Sequence, residues 1–332
     1  MNLAINGFGR IGRNAFKIAW DKHKSDIKVV AINDITTPSV LAHLLKYDSN
    51  YGTWGPTVTA DDKNIIVDGV KIPVYAEKEP NKLPWKDHDV DVVIESTGFF
   101  TNEAGMKLHL DAGAKKVVLS APAKDGNIPT FVLGVNDESY AGQTMINNAS
   151  CTTNCITPVA QVIHETFGVA KAMMTTIHSY TASQALQDGP KKDIREARAA
   201  AENIVPTTTG AAIATTQVIP ELKGLFDGLS IRVPTPVVSL ADFTFIVKKK
   251  TTVEEVNAAI KKACAEPRFE GIFAWTEEEL VSSDFKGNSY SSIADLKLTK
   301  VIDGDMVKVI AWYDNEWGYS NRLVEQCVNV SK

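Results

Sequence analysis

Leu3-Ala4-Ile5-Asn6-Gly7-Phe8-Gly9-Arg10-Ile11-Gly12 lies at the start of the chain and decides the reading of its first half. Residues 3–6 have strand character, the glycines follow at G-x-G-x-x-G spacing, and residues 12–20 carry a helical apolar pattern. Glycines at these positions allow a tight turn, close approach of a pyrophosphate to the backbone, and close helix–strand packing. The helix N-terminus adds unpaired N–H groups and the positive end of a dipole. Three glycines alone make only a turn. Here a strand precedes them, and Asp34 ends a second strand candidate 22 residues beyond Gly12. A carboxylate at that point suits the adenosine ribose hydroxyls and repels a 2′-phosphate. The fingerprint therefore predicts a dinucleotide site, with NAD preferred over NADP.

Further strand candidates at residues 27–32, 90–95 and 116–120 alternate with helical stretches, which predicts a parallel sheet covered by helices. From about residue 170 the texture changes. Residues 173–178, 231–233, 241–247 and 306–313 are strand candidates rich in Thr and aromatics, as in a mixed or antiparallel sheet. The fold class read from this pattern is α/β: a Rossmann-type parallel-sheet domain plus an α+β catalytic domain with a mixed or antiparallel sheet. The expected domains are 1–149, which binds the cofactor, and 150–315, which carries catalysis. A C-terminal helix within 316–332 is expected to pack back on the first domain.

The chain's 332 residues accommodate about two domains. Forty acidic and 35 basic side chains leave a net charge of −5, with no basic stripe for nucleic acid. No apolar run reaches the roughly 18–20 residues of a membrane span. The N-terminus has no signal-peptide layout, so a cytoplasmic location is expected.

Four cysteines are too few for a disulfide scaffold in a chain of this length. Cys264 falls on one helical face with Val253, Val256 and Ile260, behind a Thr252/Glu255 capping box, and Cys327 follows Leu323 by one turn. Both read as buried packing thiols. Cys151 differs, because Asn148-Ala149-Ser150-Cys151-Thr152-Thr153-Asn154-Cys155 sets it among small polar residues ahead of an apolar helical pattern. Ser150 reads as the N-cap and Cys151 as a first-turn residue, where the helix dipole lowers a thiol pKa. Cys155 is expected to be buried one turn on, and Pro158 to bend or break the helix. The C-x₃-C spacing has no second cysteine pair and no clustered histidines, so no metal site is expected. His23, His43, His88, His109 and His164 read as surface or packing residues. His178 ends a strand and enters a polar loop, a place from which a rigid scaffold presents catalytic groups.

Together, Asn6-Gly7-Phe8-Gly9-Arg10-Ile11-Gly12-Arg13, Ala149-Ser150-Cys151-Thr152-Thr153-Asn154-Cys155, His178-Ser179-Tyr180-Thr181, Arg232-Val233-Pro234-Thr235-Pro236 and Trp312-Tyr313-Asp314-Asn315-Glu316-Trp317-Gly318-Tyr319 resemble the glyceraldehyde-3-phosphate dehydrogenase family from end to end. The resemblance implies that Cys151 attacks the aldehyde, that hydride passes to NAD, and that inorganic phosphate cleaves the resulting thioester. It implies His178 as base, and Thr181 and Arg232, supported by Ser183 and Lys192, for the substrate's phosphate. Ser150, Thr152, Thr209 and Gly210 would hold the attacking phosphate. Gly7, Gly9, Arg10, Ile11, Gly12, Asp34, Lys78, Ser120 and Asn315 would contact NAD, and a homotetramer would be the assembly.

Three features depart from common family patterns: Ile213 in place of Lys, Asn147 in place of Ser, and Gly189 within a short form of the loop at residues 185–198. That loop is expected to face a neighbouring subunit. Two alternatives share part of the pattern. An erythrose-4-phosphate dehydrogenase would use the same Cys–His pair but release the thioester to water. A cysteine hydrolase would need neither the glycine fingerprint nor Asp34.

Overall fold

The computed structural model describes residues 1–125 and 128–332. It divides into two compact units: residues 1–131, 139–149 and 320–332, and residues 132–138 with 150–319.

In the first unit the order is β1 (Asn2–Asn6), α1 (Arg10–Lys22), β2 (Lys28–Asn33), α2 (Pro38–Lys46), a short β3 (Tyr47–Asp48)/β4 (Gly52–Thr53) pair, β5 (Val58–Ala60), β6 (Asn64–Val67), β7 (Val70–Tyr75), β8 (Val92–Glu95), α3 (Glu103–Asp111), β9 (Lys116–Leu119) and β10 (Met145–Asn147). The sheet runs β10-β9-β8-β1-β2-β7-β6-β5. Its pairs from β10 to β7 are parallel, and β6 and β5 extend it as an antiparallel edge. Both faces of the parallel part are covered. Ile5 and Ile32 pack on Phe8, Phe16 and Leu41, while their neighbours Ala4 and Ala31 pack on Trp85, Val93 and Met106. Such two-sided burial produces the short, nearly all-apolar strands seen in the sequence. Chain order reverses at β1, whose neighbours are β2 and β8, and a crevice at such a switch point is where an α/β sheet takes its ligand.

The second unit contains α4 (Cys151–Phe167), β11 (Val169–Ser179), β12 (Val205–Thr207), α5 (Ala211–Val218), β13 (Phe226–Val233), β14 (Ser239–Val247), α6 (Val253–Cys264), β15 (Phe273–Thr276), β16 (Ser292–Asp295), β17 (Lys300–Ile302) and β18 (Met306–Tyr313). The last helix, α7 (Trp317–Ser331), enters the first unit at Ser320. The second sheet is mixed, in the order β12-β13-β11-β14-β18-β16-β15, with β17 on β18. Burial alternates strictly along β14, and α4 lies against β14, β16 and β18. One face of this sheet is therefore core and the other is open. The two-domain fold class expected from the sequence holds.

Three local expectations change. Helix α4 runs through Pro158 without a break. Thr157 Oγ1 bonds back to the Thr153 carbonyl at 2.8 Å just ahead of the proline, and the Gly168 C-cap, at φ +68°, ends the helix. Cys264 is half-buried rather than core, because Val256, Ile260 and Ala263 form the packed face of α6. Thr252 caps α6 through the Glu255 N–H, but the Glu255 carboxylate accepts from Thr251 Oγ1 at 3.0 Å.

Candidate active site

In the first unit the glycine turn lies at the carboxyl end of β1. Gly7 has φ +90°, and its N–H donates to the Asn33 carbonyl at 2.8 Å. A Cβ on Gly12 would lie 2.2 Å from the Gly7 carbonyl oxygen, whereas Gly9 is exposed with nothing within 4 Å of the equivalent point. Gly12 thus sets helix–strand contact, and Gly9 leaves room for a phosphate group. Gly12→Ala should cost about 1–3 kcal/mol of stability by forcing α1 off β1. It should also raise the NAD Kd by about tenfold or more, read by calorimetric titration. Parent-like affinity would remove Gly12 from this role.

Asp34 lies one residue past β2, and its Oδ2 accepts from the Phe8 N–H at 2.8 Å. The carboxylate therefore fixes the turn as well as presenting Oδ1. Arg10 donates to Asp48 at 2.7 Å, and burial of that carboxyl is outweighed by Arg10 together with the Asn50 and Tyr51 N–H donors, so it stays below its ordinary range. Ile11 is half-buried, Lys78 is exposed beyond β7, and Ser120 follows β9. These residues share the carboxyl-end edge of one sheet. Ile35 and Phe99, 69% and 82% exposed, stand beyond the ends of β2 and β8 on either side of the turn. Exposed apolar groups on that edge suit a planar base, and the sequence reading missed both.

Beneath the turn is a fully buried ladder. Asn33 donates to Asn6 at 2.7 Å, and Asn6 to Glu95 Oε2 at 2.6 Å. His109 Nδ1 accepts from the Trp85 indole at 2.9 Å, so the ring proton lies on Nε2, 3.0 Å from Glu95. Thr97 donates to the other carboxylate oxygen through its N–H at 2.8 Å. His109 is a structural histidine, as its sequence context indicated.

In the second unit, Ser150 caps α4 by accepting from Thr153 N at 3.0 Å, and Cys151 is the first helical residue. Cys151 Sγ lies 3.5 Å from His178 Nε2. His178 comes from β11, directly opposite Arg232 on the parallel neighbour β13. Its Nδ1 lies 2.7 Å from the Ser179 carbonyl and 2.6 Å from Arg232 Nη1. The Ser179 side chain donates to the Val238 carbonyl at 2.6 Å, where Val238 is held at φ +74°. A β-branched residue in that region stores local strain. Thr181 and Ser183 follow the end of β11 with their hydroxyls 3.0 Å apart. Thr209 Oγ1 accepts from the Ala211 N–H at 3.2 Å, leaving exposed Gly210 as N-cap of α5. Lys192 is exposed on the loop beyond Thr181. Asn315 is buried and accepts from Ser239 at 3.1 Å.

Electrostatics change one expectation. Burial pushes the Cys151 thiol up, and Arg232, Thr152 and the Cys151 N–H only partly offset it. Burial and the Arg232 charge lower His178 to about 3. Desolvation of both groups therefore works against the charged forms and favours the neutral thiol and the neutral imidazole.

Tyr313 is a further residue that the sequence did not single out. Its hydroxyl lies 2.9 Å from Thr152 Oγ1 and 2.8 Å from Thr176 Oγ1, and its ring meets His178 edge-on at 6.0 Å. Thr176 donates to the Leu240 carbonyl, so it accepts from Tyr313, which in turn accepts from Thr152. Tyr313 therefore ties α4, which carries Cys151, to β11, which carries His178. Tyr313→Phe keeps the ring and removes both bonds, and should lower kcat about tenfold, or 1.4 kcal/mol, with KM nearly unchanged. An unaltered kcat in steady-state assays would refute this.

A glycine-turn dinucleotide domain combined with a helix-capped cysteine facing a strand-borne histidine defines an oxidoreductase of the thiol-dependent aldehyde dehydrogenase class. Family models for the glyceraldehyde 3-phosphate dehydrogenase NAD binding domain and C-terminal domain match residues 1–103 and 150–315. Glyceraldehyde-3-phosphate dehydrogenase of Geobacillus stearothermophilus is 54% identical over 98% of this chain and 96% of its own length. Glyceraldehyde-3-phosphate dehydrogenase 1 of Bacillus subtilis is 52% identical over 100% and 98%. The Mycobacterium bovis enzyme is 54% identical over 100% and 99%. The chain belongs to the glyceraldehyde-3-phosphate dehydrogenase family, and its cofactor is NAD.

Proposed function

We propose that this chain catalyses the oxidative phosphorylation of D-glyceraldehyde 3-phosphate to 1,3-bisphosphoglycerate, a step of glycolysis. The observation that carries the reading is the 3.5 Å approach of Cys151 Sγ to His178 Nε2 at the N-terminus of α4. Cys151 sulfur bonds to the aldehyde carbon while its proton passes by way of His178 to the carbonyl oxygen, giving a hemithioacetal. The Cys151 N–H, in the first helical turn, and the His178 ring stabilise the oxygen as charge develops on it. His178 then takes the hemithioacetal hydroxyl proton as the carbon loses hydride, leaving a thioester. Bound NAD supplies the hydride acceptor. Inorganic phosphate attacks the thioester carbon, the C–S bond breaks, and Cys151 leaves as thiolate.

Arg232, Thr181, Ser183 and Lys192 are assigned to the substrate's phosphate, with Arg232 giving charge-assisted bonds. Ser150, Thr152, Thr209 and Gly210 are assigned to the attacking phosphate. Gly7, Gly9, Arg10, Ile11, Gly12, Asp34, Lys78, Ser120 and Asn315 are assigned to NAD, and Ile35 and Phe99 to its adenine. Asp34→Ala should erode the preference for NAD over NADP by about tenfold in kcat/KM, the worth of one ribose interaction at roughly 1.4 kcal/mol. An unchanged ratio would show that Asp34 serves only to fix the turn.

We also propose a homotetramer in the cytoplasm. The open face of the second sheet carries a groove of about 690 Å³ lined by Met173, Ile213, Leu225, Phe226, Ile246 and Met306. Met173 and Ile213 are 58% and 65% exposed, and a second copy would cover them. Leu186 and Ile194, each 81% exposed on the short loop at residues 185–198, would be covered in the same way. All four cysteines are free thiols, which suits a reducing compartment, and no helix among the described residues is long and apolar enough to cross a membrane.

The deciding assay follows NADH formation from glyceraldehyde 3-phosphate with and without inorganic phosphate. Phosphate-dependent turnover is expected. A phosphate-independent rate would favour thioester hydrolysis, as in an erythrose-4-phosphate dehydrogenase, and failure to bind NAD would revive a cysteine hydrolase.

A further inference from the structure

A chain of hydrogen bonds leads from the end of β11 to Asn315. The Ser179 N–H donates to Ser239 Oγ at 3.1 Å, and Ser239 Oγ donates to Asn315 Oδ1 at 3.1 Å. Ser239 opens β14 opposite Tyr313, and Asn315 follows two residues after Tyr313. Both are held from behind. Ser179 Oγ fixes the carbonyl of strained Val238, just before Ser239, at 2.6 Å. Asp314 accepts from the Gly287, Glu316 and Trp317 N–H groups at 2.8, 3.0 and 2.8 Å. An asparagine amide turned over about its last bond exchanges a carbonyl for an NH₂ with little change of shape. Here a proton makes the choice. Ser239 is 1% exposed, its Oγ already accepts from the Ser179 N–H, and Asn315 Oδ1 is the one acceptor for its proton among the described residues. With the amide turned over, two donors would face one hydroxyl, whose own proton would be buried without an acceptor. That disfavours the turned amide by about tenfold or more. Asn315 Nδ2 has no hydrogen-bond partner among the described residues and is not sealed from solvent.

We propose that Ser239 is a positioning residue for the cofactor: by donating to Asn315 Oδ1 it fixes the Asn315 amide with its NH₂ toward the nicotinamide carboxamide, so the site demands a carbonyl there and disfavours a ring that carries only a donor. This rests on Asn315 serving the nicotinamide end of NAD, as assigned above. The carboxamide carries one group of each kind, a C=O and an NH₂, and only the C=O answers a fixed donor. Ser239 touches no reacting atom. It acts through Asn315, and the Ser179 N–H ties it to the strand end that carries His178.

Calorimetric titration of the full chain with three dinucleotides separates the two groups. They are NAD, its 3-acetylpyridine analogue, which keeps the carbonyl and loses the NH₂, and its 3-aminopyridine analogue, which keeps a donor and loses the carbonyl. The parent should bind the acetyl analogue within about threefold of NAD, and the amino analogue about tenfold or more weakly, because a donor then faces a donor. Ser239→Ala frees the amide to turn. The turned form should rise from about a tenth of the population to about half, so the amino analogue should tighten about fivefold while NAD and the acetyl analogue weaken by about twofold at most. A merely structural role would weaken all three together, so shifts of opposite sign mark the orientation of the amide. Ser239→Cys, similar in shape and a weaker donor, should move the ratio of NAD to amino-analogue affinity the same way by less, and it decides the matter if Ser239→Ala fails to fold. Amino-analogue binding as tight as that of the acetyl analogue in the parent overturns the proposal without any variant. A ratio unchanged in the Ser239 variants overturns it as well. If Asn315→Ala alters the three affinities and the Ser239 variants do not alter their ratio, this inference alone fails. If Asn315→Ala leaves all three unchanged, the assignment of Asn315 to the cofactor fails with it.

Discussion

Replacing Cys151 with alanine is expected to lower aldehyde-dependent NADH formation by roughly 10⁴-fold or more, because the acyl intermediate has no other sulfur to form on. Cys155 is the control. It lies one turn along α4, fully buried, with its thiol donating to Ser292 Oγ at 3.6 Å. Burial pushes that thiol far above its ordinary range, and the charge of a nearby Cys151 thiolate would push it further. It can neither ionise nor reach solvent, so Cys155→Ala should keep kcat within a few-fold of the parent. The protein would lose about 1–2 kcal/mol of stability for the small buried side chain. Cys151→Ser is the sharper probe, since it preserves shape and the Ser150 cap but replaces the thiol with a far weaker acid. Pre-steady-state mixing with NAD and substrate should show a burst of NADH in the parent and none in either Cys151 variant. A burst that survived Cys151→Ala would move the nucleophile elsewhere.

Much of this site was legible in the residues because its parts are local. The glycine turn, the Ser150 cap and the first-turn position of Cys151 each depend on a few consecutive side chains, so spacing alone specifies them. His178 was legible only as a strand end. Its pairing with Cys151 depends on how β11 lies under α4, which no local pattern encodes. The opposition of His178 and Arg232 follows from the parallel register of β11 and β13, whose partners are 54 residues apart in the chain. Tyr313, from β18, was read as part of a motif and not as a tie between Thr152 and Thr176, for the same reason. The antiparallel β5–β7 edge escaped notice because its strands are short and half exposed.

The correction at Cys151 has a physical lesson of its own. A helix N-terminus contributes about 0.3–1 kcal/mol to an anion at an exposed position, whereas desolvation of a buried ionisable group can shift it by several pK units. A capped first-turn position therefore predicts a reactive thiol only if something else repays the burial. Arg232 alone does so incompletely here, since the Cys151 thiol remains raised. Proton transfer to His178 can repay it, because it replaces one buried anion with an ion pair.

That reasoning fixes the pH dependence of the second large effect. A neutral thiol with a neutral imidazole and a thiolate with an imidazolium hold the same number of protons. The balance between them does not change with pH from the lowered His178 value, about 3, up to the raised thiol value. The parent should therefore show a nearly flat rate across neutral pH. His178→Asn removes the internal acceptor, and thiolate then forms only by losing its proton to water. With the thiol raised by burial, the fraction ionised is small at neutrality and grows about tenfold per pH unit. His178→Asn should lower kcat/KM about 10²–10⁴-fold at pH 7, and the deficit should narrow steadily as pH rises. It should not vanish, because the ring also stabilises the carbonyl oxygen and accepts the hemithioacetal proton. Iodoacetamide alkylation, which needs only the thiolate, separates these roles: its deficit should close further at alkaline pH than that of kcat/KM. A flat pH profile in the variant would mean that Cys151 ionises without His178, and the pair would lose its catalytic meaning.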